Sequence, residues 1–291
     1  MVVTTGLGSW PGTDPTTAID QVMTVFPNSP FLPELPARGL GADMVGRTLG
    51  LITDLGYEPT ATGWTATSHP SQAQRAAAAR LRDDCDQVAE YLEPYQGPFH
   101  VSLTGPWTLA AVVGWGSGEV LLADRGARRD LGQAWVEAVR QWLERLRRLL
   151  PQVELTLQVD EPLLPQVTHG DIATVSGLHR HRPVEPLEIV AAYAGLPVTD
   201  LANVVLHCCA PGLDWSLPAA AGFTTVSLDV TQITTAERDH VAAFYDAGHQ
   251  LWLGVVPTDR WDQPLPSFNQ IVRPTRQLFE DASIDPQAGR V

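Results

Sequence analysis

An imidazole and a thiol stand two residues apart in Val204-Val205-Leu206-His207-Cys208-Cys209-Ala210-Pro211, at the end of an apolar, β-branched run. Alternate strand residues share a face, so His207 and Cys209 point to one side and can offer a nitrogen and a thiolate to a zinc ion. The same peptide also reads as two small buried thiols beside a hydrogen-bonded histidine, and two ligands alone do not make a zinc site. Asp229, which closes the next apolar run, supplies a third ligand of oxygen type. No fourth is evident, because Cys85 falls mid-helix far upstream.

Carboxylates mark two other runs. Gln158-Val159-Asp160-Glu161-Pro162 ends a run with two adjacent acids, one of which must face the sheet's mouth. There it could grip an ammonium group or act as a base. Helix capping with Pro162 at the first helical position accounts for the same pair. Glu34 lies inside Leu32-Pro33-Glu34-Leu35-Pro36, where an acid is costly unless it has a partner. Gly6-Leu7-Gly8-Ser9-Trp10-Pro11 could present backbone N–H groups to a carboxylate, or be a plain turn. In Thr104-Gly105-Pro106-Trp107-Thr108, Trp107 with nearby Trp115 could wall a planar ligand, although core packing is the simpler use of an indole. The arginines Arg140, Arg145, Arg147 and Arg148 read as a solvated helix face.

Composition narrows the chemistry. The 291 residues include 19 basic and 33 acidic side chains, a net charge of −14, and no lysine. Without lysine there is no Schiff-base aldolase, no pyridoxal-phosphate enzyme and no P-loop. The acidic balance disfavours nucleic acid and anionic membrane as partners. With 44% hydrophobic and 18% charged residues the chain has the material for a large core. Three cysteines, two of them adjacent, do not make a secreted disulfide framework, and no signal-like or membrane-spanning window is seen, so the expected location is cytoplasmic.

Strands and helices must position these groups. Apolar runs at Val2 to Thr5, Phe31 to Pro36, Phe99 to Thr104, Leu155 to Asp160, Val204 to His207, Thr225 to Asp229 and Leu251 to Val256 predict seven strands. Helical periodicity falls between them, at Pro15 to Val25, Asp43 to Leu55, Ser71 to Leu92, Arg128 to Leu150, Pro186 to Ala194, Ala236 to Ala247 and Ser267 to Ala282. This alternation predicts an α/β fold with a parallel sheet covered on both sides. Reactive residues at several strand ends, with no GxGxxG after the first strand, favour a (β/α)8 TIM-type barrel over a doubly wound sheet. The barrel is expected to lack its last strand, since SIDPQAGRV is too polar for a buried one. Residues 60–71 and 168–186 read as long loops within one domain spanning 1–291.

In their order along the chain, GSWP, FLPELP, LTGPWT, LQVDEP and HCC resemble the catalytic barrel of the cobalamin-independent methionine synthase family, in a short, single-barrel form. The resemblance implies a zinc-dependent transferase that methylates the sulfur of a small thiol or amino-acid substrate such as homocysteine. It makes His207 and Cys209 zinc ligands and puts Asp229 where the family has a glutamate ligand. Asp160 and Glu34 would hold the substrate ammonium, and Ser9 its carboxylate. The family's last zinc ligand is a cysteine on the final strand, the element this chain is expected to lack. Where the family has a histidine proton donor, this chain reads Gly254-Val255-Val256-Pro257-Thr258-Asp259, so Asp259 stands as the candidate there. The implied methyl donor is a methyl-folate or a methyl-corrinoid carried by a corrinoid protein. The alternatives are a metal-free lyase of the uroporphyrinogen decarboxylase type, for which Arg38 is the obvious carboxylate-binding arginine, and a non-catalytic ligand-binding barrel.

Overall fold

Polar and apolar residues alternate along Phe99-His100-Val101-Ser102-Leu103-Thr104, and both sets are buried. A strand that hides both faces belongs inside a layered α/β fold. The computed structural model describes residues 3–116, 118–256 and 264–284. Numbered along the chain, its strands are β1 (Gly56–Thr60), β2 (Gly63–Thr67), β3 (Gly97–Thr104), β4 (Gly114–Trp115), β5 (Glu119–Val120), β6 (Val153–Asp160), β7 (Asn203–Cys208), β8 (Thr225–Asp229) and β9 (Gln250–Gly254). The parallel sheet runs β3-β6-β7-β8-β9, each strand beside the next in sequence.

Two extended segments continue this sheet beyond β3. His100 N–H donates to Pro30 O, and Leu32 N–H returns a bond to His100 O. Glu34 N–H donates to Gly8 O and Trp10 N–H to Glu34 O. The strand expected at Phe31 to Pro36 is therefore reduced to bridges at Phe31 and Glu34. Prolines at 30, 33 and 36 remove the donors that a longer ladder needs. The first strand is also corrected: Val2 lies outside the described residues, residues 3–5 form no strand, and pairing starts at Gly8 and Ser9.

The sheet curls. The His100 and Trp252 rings, from β3 and β9, meet edge to face at 5.4 Å, and Gln158 Nε2 on β6 donates to Leu7 O at 3.0 Å. Neighbouring successive strands in a curled parallel sheet is TIM-type order. Among the described residues no strand follows β9 to meet the first segment.

The helices are α1 (Pro15–Val25), α2 (Met44–Leu51), α3 (Gln72–Tyr91), α4 (Pro106–Val112), α5 (Arg125–Leu149), α6 (Leu164–His169), α7 (Pro186–Ala191), α8 (Leu217–Ala220), α9 (Arg238–Asp246) and α10 (Phe268–Asp281). Four of them start at side-chain caps: Asp14, Asp43, Ser71 and Asp124 accept backbone N–H groups at the starts of α1, α2, α3 and α5. On α5, Leu131, Trp135, Val139, Trp142 and Leu146 form the buried stripe, and Trp135 Nε1 donates to Thr104 O at 2.9 Å, fastening the helix to the end of β3. Arg140 pairs with Glu137 and Glu144 on the opposite, solvated face.

The segment 60–71, expected to be a loop, instead carries most of a hairpin. β1 and β2 pair antiparallel and join β4 and β5 in a second small sheet. Tyr57 and Trp64 are buried there, so this segment packs against the molecule instead of lying over it. The buried Gln74 locks it in place: its amide donates to Leu49 O, Ile52 O and Leu55 O, and its oxygen accepts Tyr57 N–H.

Candidate active site

Strand register brings the reactive residues into one row. Thr104 pairs with Asp160, Asp160 with His207 and His207 with Ser227, all at the C-terminal ends of β3, β6, β7 and β8. Side chains in such a row share a face. The sheet's other face carries Leu103, Val159, Leu206 and Leu228, which join the helices in the hydrophobic core.

The two adjacent acids divide their roles. Glu161, fully buried, accepts from Trp107 N–H (3.0 Å), Thr108 N–H (2.7 Å), Thr108 Oγ1 (2.7 Å) and Tyr193 OH (2.6 Å). It caps the start of α4, a different helix from the one that follows it in sequence. Burial raises its proton affinity against the pull of these four donors. Gly105 must be glycine here, because a Cβ would lie 2.2 Å from Glu161 Oε1. Asp160 faces the interior, where Gln158 Nε2 donates to Oδ1 at 2.6 Å. Burial, followed by the nearby Glu34 carboxylate, raises its pKa well above the ordinary value, with Arg47 opposing.

Glu34 is brought near Asp160, but it arrives partnered. Arg47 Nη1 lies 2.6 Å from Glu34 Oε1 and Ser102 Oγ donates to the same oxygen at 2.8 Å, with both charged side chains only 5% exposed. Arg47 was not singled out from sequence, although a charged residue on the apolar face of α2 is a visible signal. Its helix is fixed tightly. Thr104 N–H donates to Thr48 Oγ1, Thr104 Oγ1 donates to Met44 O, and a Cβ on Gly46 would meet Gly41 Cα at 2.5 Å.

His207 is buried, and its Nδ1 hydrogen-bonds with Ser227 Oγ at 3.0 Å, which leaves Nε2 as the other ligating nitrogen. Burial lowers its pKa to about 4. Cys208 turns the other way, into the core, and its buried thiol is pushed up to about 12. Cys209 is exposed and raised by burial of its sulfur, with Asp160 and Asp229 adding negative charge nearby. The Asp229 carboxylate is engaged locally, accepting Thr231 N–H and Oγ1.

The remaining candidates scatter. Ser9 is exposed, bridged through its backbone to Glu34. Trp107 is not a ligand wall: it is buried in the core, donating from Nε1 to Ile189 O, and Trp115 lies exposed on β4. Asp259 lies outside the described residues. Arg38 is tied to Asp84 at 2.7 Å and offers no open guanidinium. A large surface groove lined by Arg125, Arg129 and Arg182 shares no residue with the row.

His100, which the sequence reading also passed over, sits in the interior between Phe31 and Trp252, near Gln158 and Gly6. Burial, and next His207, lowers its pKa to about 4. A folded pKa below the unfolded one means full stability above the unfolded value and loss as pH falls toward the folded one. Acidification from about pH 6.5 to 5 is thus expected to cost up to ~2 kcal/mol at this residue. Urea unfolding at both pH values checks it, and His100→Leu should reduce the dependence, leaving the share of His207, whose pKa burial also lowers to about 4.

A model of the family "Cobalamin-independent synthase, Catalytic domain" matches residues 103–285, more than half of the chain. The chain belongs to that family. Asp160, His207, Cys209 and Asp229 fall inside the matched range, whereas Ser9, Glu34 and Arg47 precede it. No curated protein matches. Among solved structures, a B12-independent methionine synthase from Shewanella sp. W3-18-1, in complex with selenomethionine, is 12% identical with a TM-score of 0.46. The alignment covers 77% of this chain and 61% of that one, so this chain spans about three fifths of that protein's length.

The synthase family implies zinc. His207, Cys209 and Asp229, at the ends of β7 and β8, supply nitrogen, sulfur and oxygen donors of the type that ion takes. Among the described residues, three such side chains are not gathered closely enough to hold a metal. Nor is any helix there long and apolar enough to cross a membrane.

Proposed function

We propose that this protein is a methyltransferase that transfers a methyl group to the sulfur of a small thiol, using zinc. The observation that carries the reading is the placement of Asp160 and His207 as register neighbours on the interior face, with Cys209 and Asp229 immediately beyond. His207 Nε2, Cys209 Sγ and Asp229 would hold the ion. When bound, zinc lowers a thiol's pKa so that a thiolate is available near neutral pH.

The chain's own residues do the rest. Ser227 fixes the His207 ring through Nδ1, so that the other nitrogen faces the metal position. Burial keeps His207 unprotonated at neutral pH, the state a ligand requires. Gln158 orients Asp160. A family named for independence from cobalamin lends no support to a methyl-corrinoid or a corrinoid-protein partner, so the donor in this reading is a methyl-folate, and the setting is the cytoplasm. Arg38, held by Asp84, leaves the lyase alternative without its carboxylate anchor.

Metal analysis of the purified chain tests the proposal. The expected result is substoichiometric zinc as isolated, rising to one equivalent with added zinc, because three protein ligands bind less tightly than four. His207→Ala is expected to weaken zinc binding at least ~10-fold, in the range seen when a metal site loses a supporting group. No zinc uptake at any concentration would rule the proposal out.

A further inference from the structure

Five of the chain's 19 basic residues, Arg125, Arg128, Arg129, Arg180 and Arg182, line one surface groove of about 1460 Å³. It runs between the first turns of α5 and α7 and the hairpin joining α6 to α7, in which Thr174 N–H donates to His179 O and His181 N–H to Ile172 O. Trp135 Nε1, bonded to Thr104 O, fixes α5 at the end of β3, and α5 then leads into β6, whose Val153 pairs with Gly97 at the start of β3. The helix start therefore points past the strand ends: at 1.5 Å per residue, Arg125 stands ~15 Å beyond Thr104. This puts the groove at the rim, on the side where the row of Asp160 and His207 ends.

The lining sets these five guanidiniums against two acids, Glu185 and Glu188. Glu188 serves two of them, at 2.9 Å from Arg128 and 3.6 Å from Arg125, and Arg182 has no ion pair among the described residues. Arg129 pairs with its neighbour Asp130 and Arg180 with Asp171 at 3.8 Å, but both arginine side chains are mostly exposed. Exposed pairs contribute little, so a ligand's carboxylates can replace the local ones. Charge is half of the pattern. Leu187, 85% exposed, stands among these arginines, and the hairpin tip bears Val175 and Leu178, 67% and 81% exposed. Apolar side chains uncovered to this extent beside cations mark a contact surface. Asp124 already accepts Ala127 N–H at the start of α5, which takes up a donor that a phosphate would use. The volume also exceeds the ~300–1,000 Å³ of a usual small-molecule pocket and suits an extended chain. A second copy of this protein would set a charge of −14 against −14, whereas a short segment brings only its own few charges to the arginines.

We propose that this groove docks an acidic segment of another protein, whose carboxylates bind the arginines and whose apolar side chains cover Leu187. The proposal is independent of thiol methylation, since the groove shares no residue with the strand-end row.

Fluorescence polarisation of the full chain with a labelled peptide of alternating glutamate and leucine, about ten residues long, tests it. The peptide should bind with a Kd of order 10 μM, and a peptide of alternating glutamate and serine about tenfold more weakly. Arg125→Glu/Arg182→Glu should weaken binding of the glutamate–leucine peptide by about tenfold or more, and Leu187→Ser by about fivefold. These side chains are exposed or lie on the surface of the groove, so the variants are expected to fold as the wild type does. No binding at ~1 mM peptide overturns the proposal, as does binding that both variants leave within about twofold of wild type, or equal binding of the serine peptide. A dimer in analytical ultracentrifugation that Arg125→Glu/Arg182→Glu disperses also overturns it, because the occupant is then a second copy.

Discussion

Glu161→Ala is expected to lower the unfolding free energy by about 3–5 kcal/mol, among the largest effects open to one side chain in this protein. The change leaves Trp107 N–H, Thr108 N–H, Thr108 Oγ1 and Tyr193 OH without their common acceptor, all inside the protein. Each abandoned buried donor costs about 1–3 kcal/mol, partly recovered by relaxation. Glu161→Gln should cost less. Burial holds the carboxylate's proton affinity above the ordinary value, so its charge is incompletely offset, and a neutral amide oxygen still accepts some of the bonds. Urea unfolding of both variants gives the comparison. Equal stability of Glu161→Ala and wild type would mean that these bonds contribute nothing net. Because Glu161 ties the end of β6 to α4 and to Tyr193, the same loss should also disturb Asp160 next to it in sequence.

Helix positions were legible where the signals are local. Asp14, Ser71 and Asp124 cap α1, α3 and α5 within a residue or a few of the expected starts, and the Leu131 to Leu146 stripe of α5 is buried as its spacing implies. Short helices such as α4, α6 and α8 were not, because a stretch of four to seven residues shows too little periodicity. The strands from residue 97 onward were legible as apolar runs, yet their alternation was the richer signal. His100, Ser102, Thr104, Thr156, Gln158 and Asp160 are buried polar residues at every second position, and such a series marks the interior face of the sheet. That pattern would have pointed to His100 and Gln158. Arg47 is harder, since its meaning depends on how α2 is turned against Glu34 and β3, which no local spacing encodes. The paired acids Asp160 and Glu161 illustrate the same limit: capping and substrate-facing roles were both legible, but only packing assigns one to each.

Arg47→Met is expected to destabilise the fold by about 3–5 kcal/mol, because it strands the Glu34 carboxylate in a buried site next to Asp160. Ser102 alone cannot replace the lost charge. Glu34→Gln should be costly for the mirror reason, leaving a guanidinium without its counter-ion. The double variant removes both charges and should recover much of the loss, since a neutral pair of similar volume avoids burying either ion. A double-mutant cycle measured by urea unfolding is therefore expected to give a coupling energy of about 2 kcal/mol or more. Additive costs would mean that the two side chains do not interact energetically despite their 2.6 Å contact. Ligand binding adds a second readout: a ligand that binds only the folded state stabilises it by RT ln(1 + [L]/Kd). In Arg47→Met, an ammonium-bearing thiol supplies the positive charge that the deletion removed. Homocysteine should thus raise the melting temperature of this variant more than that of the wild type, reversing part of the destabilisation it is added to.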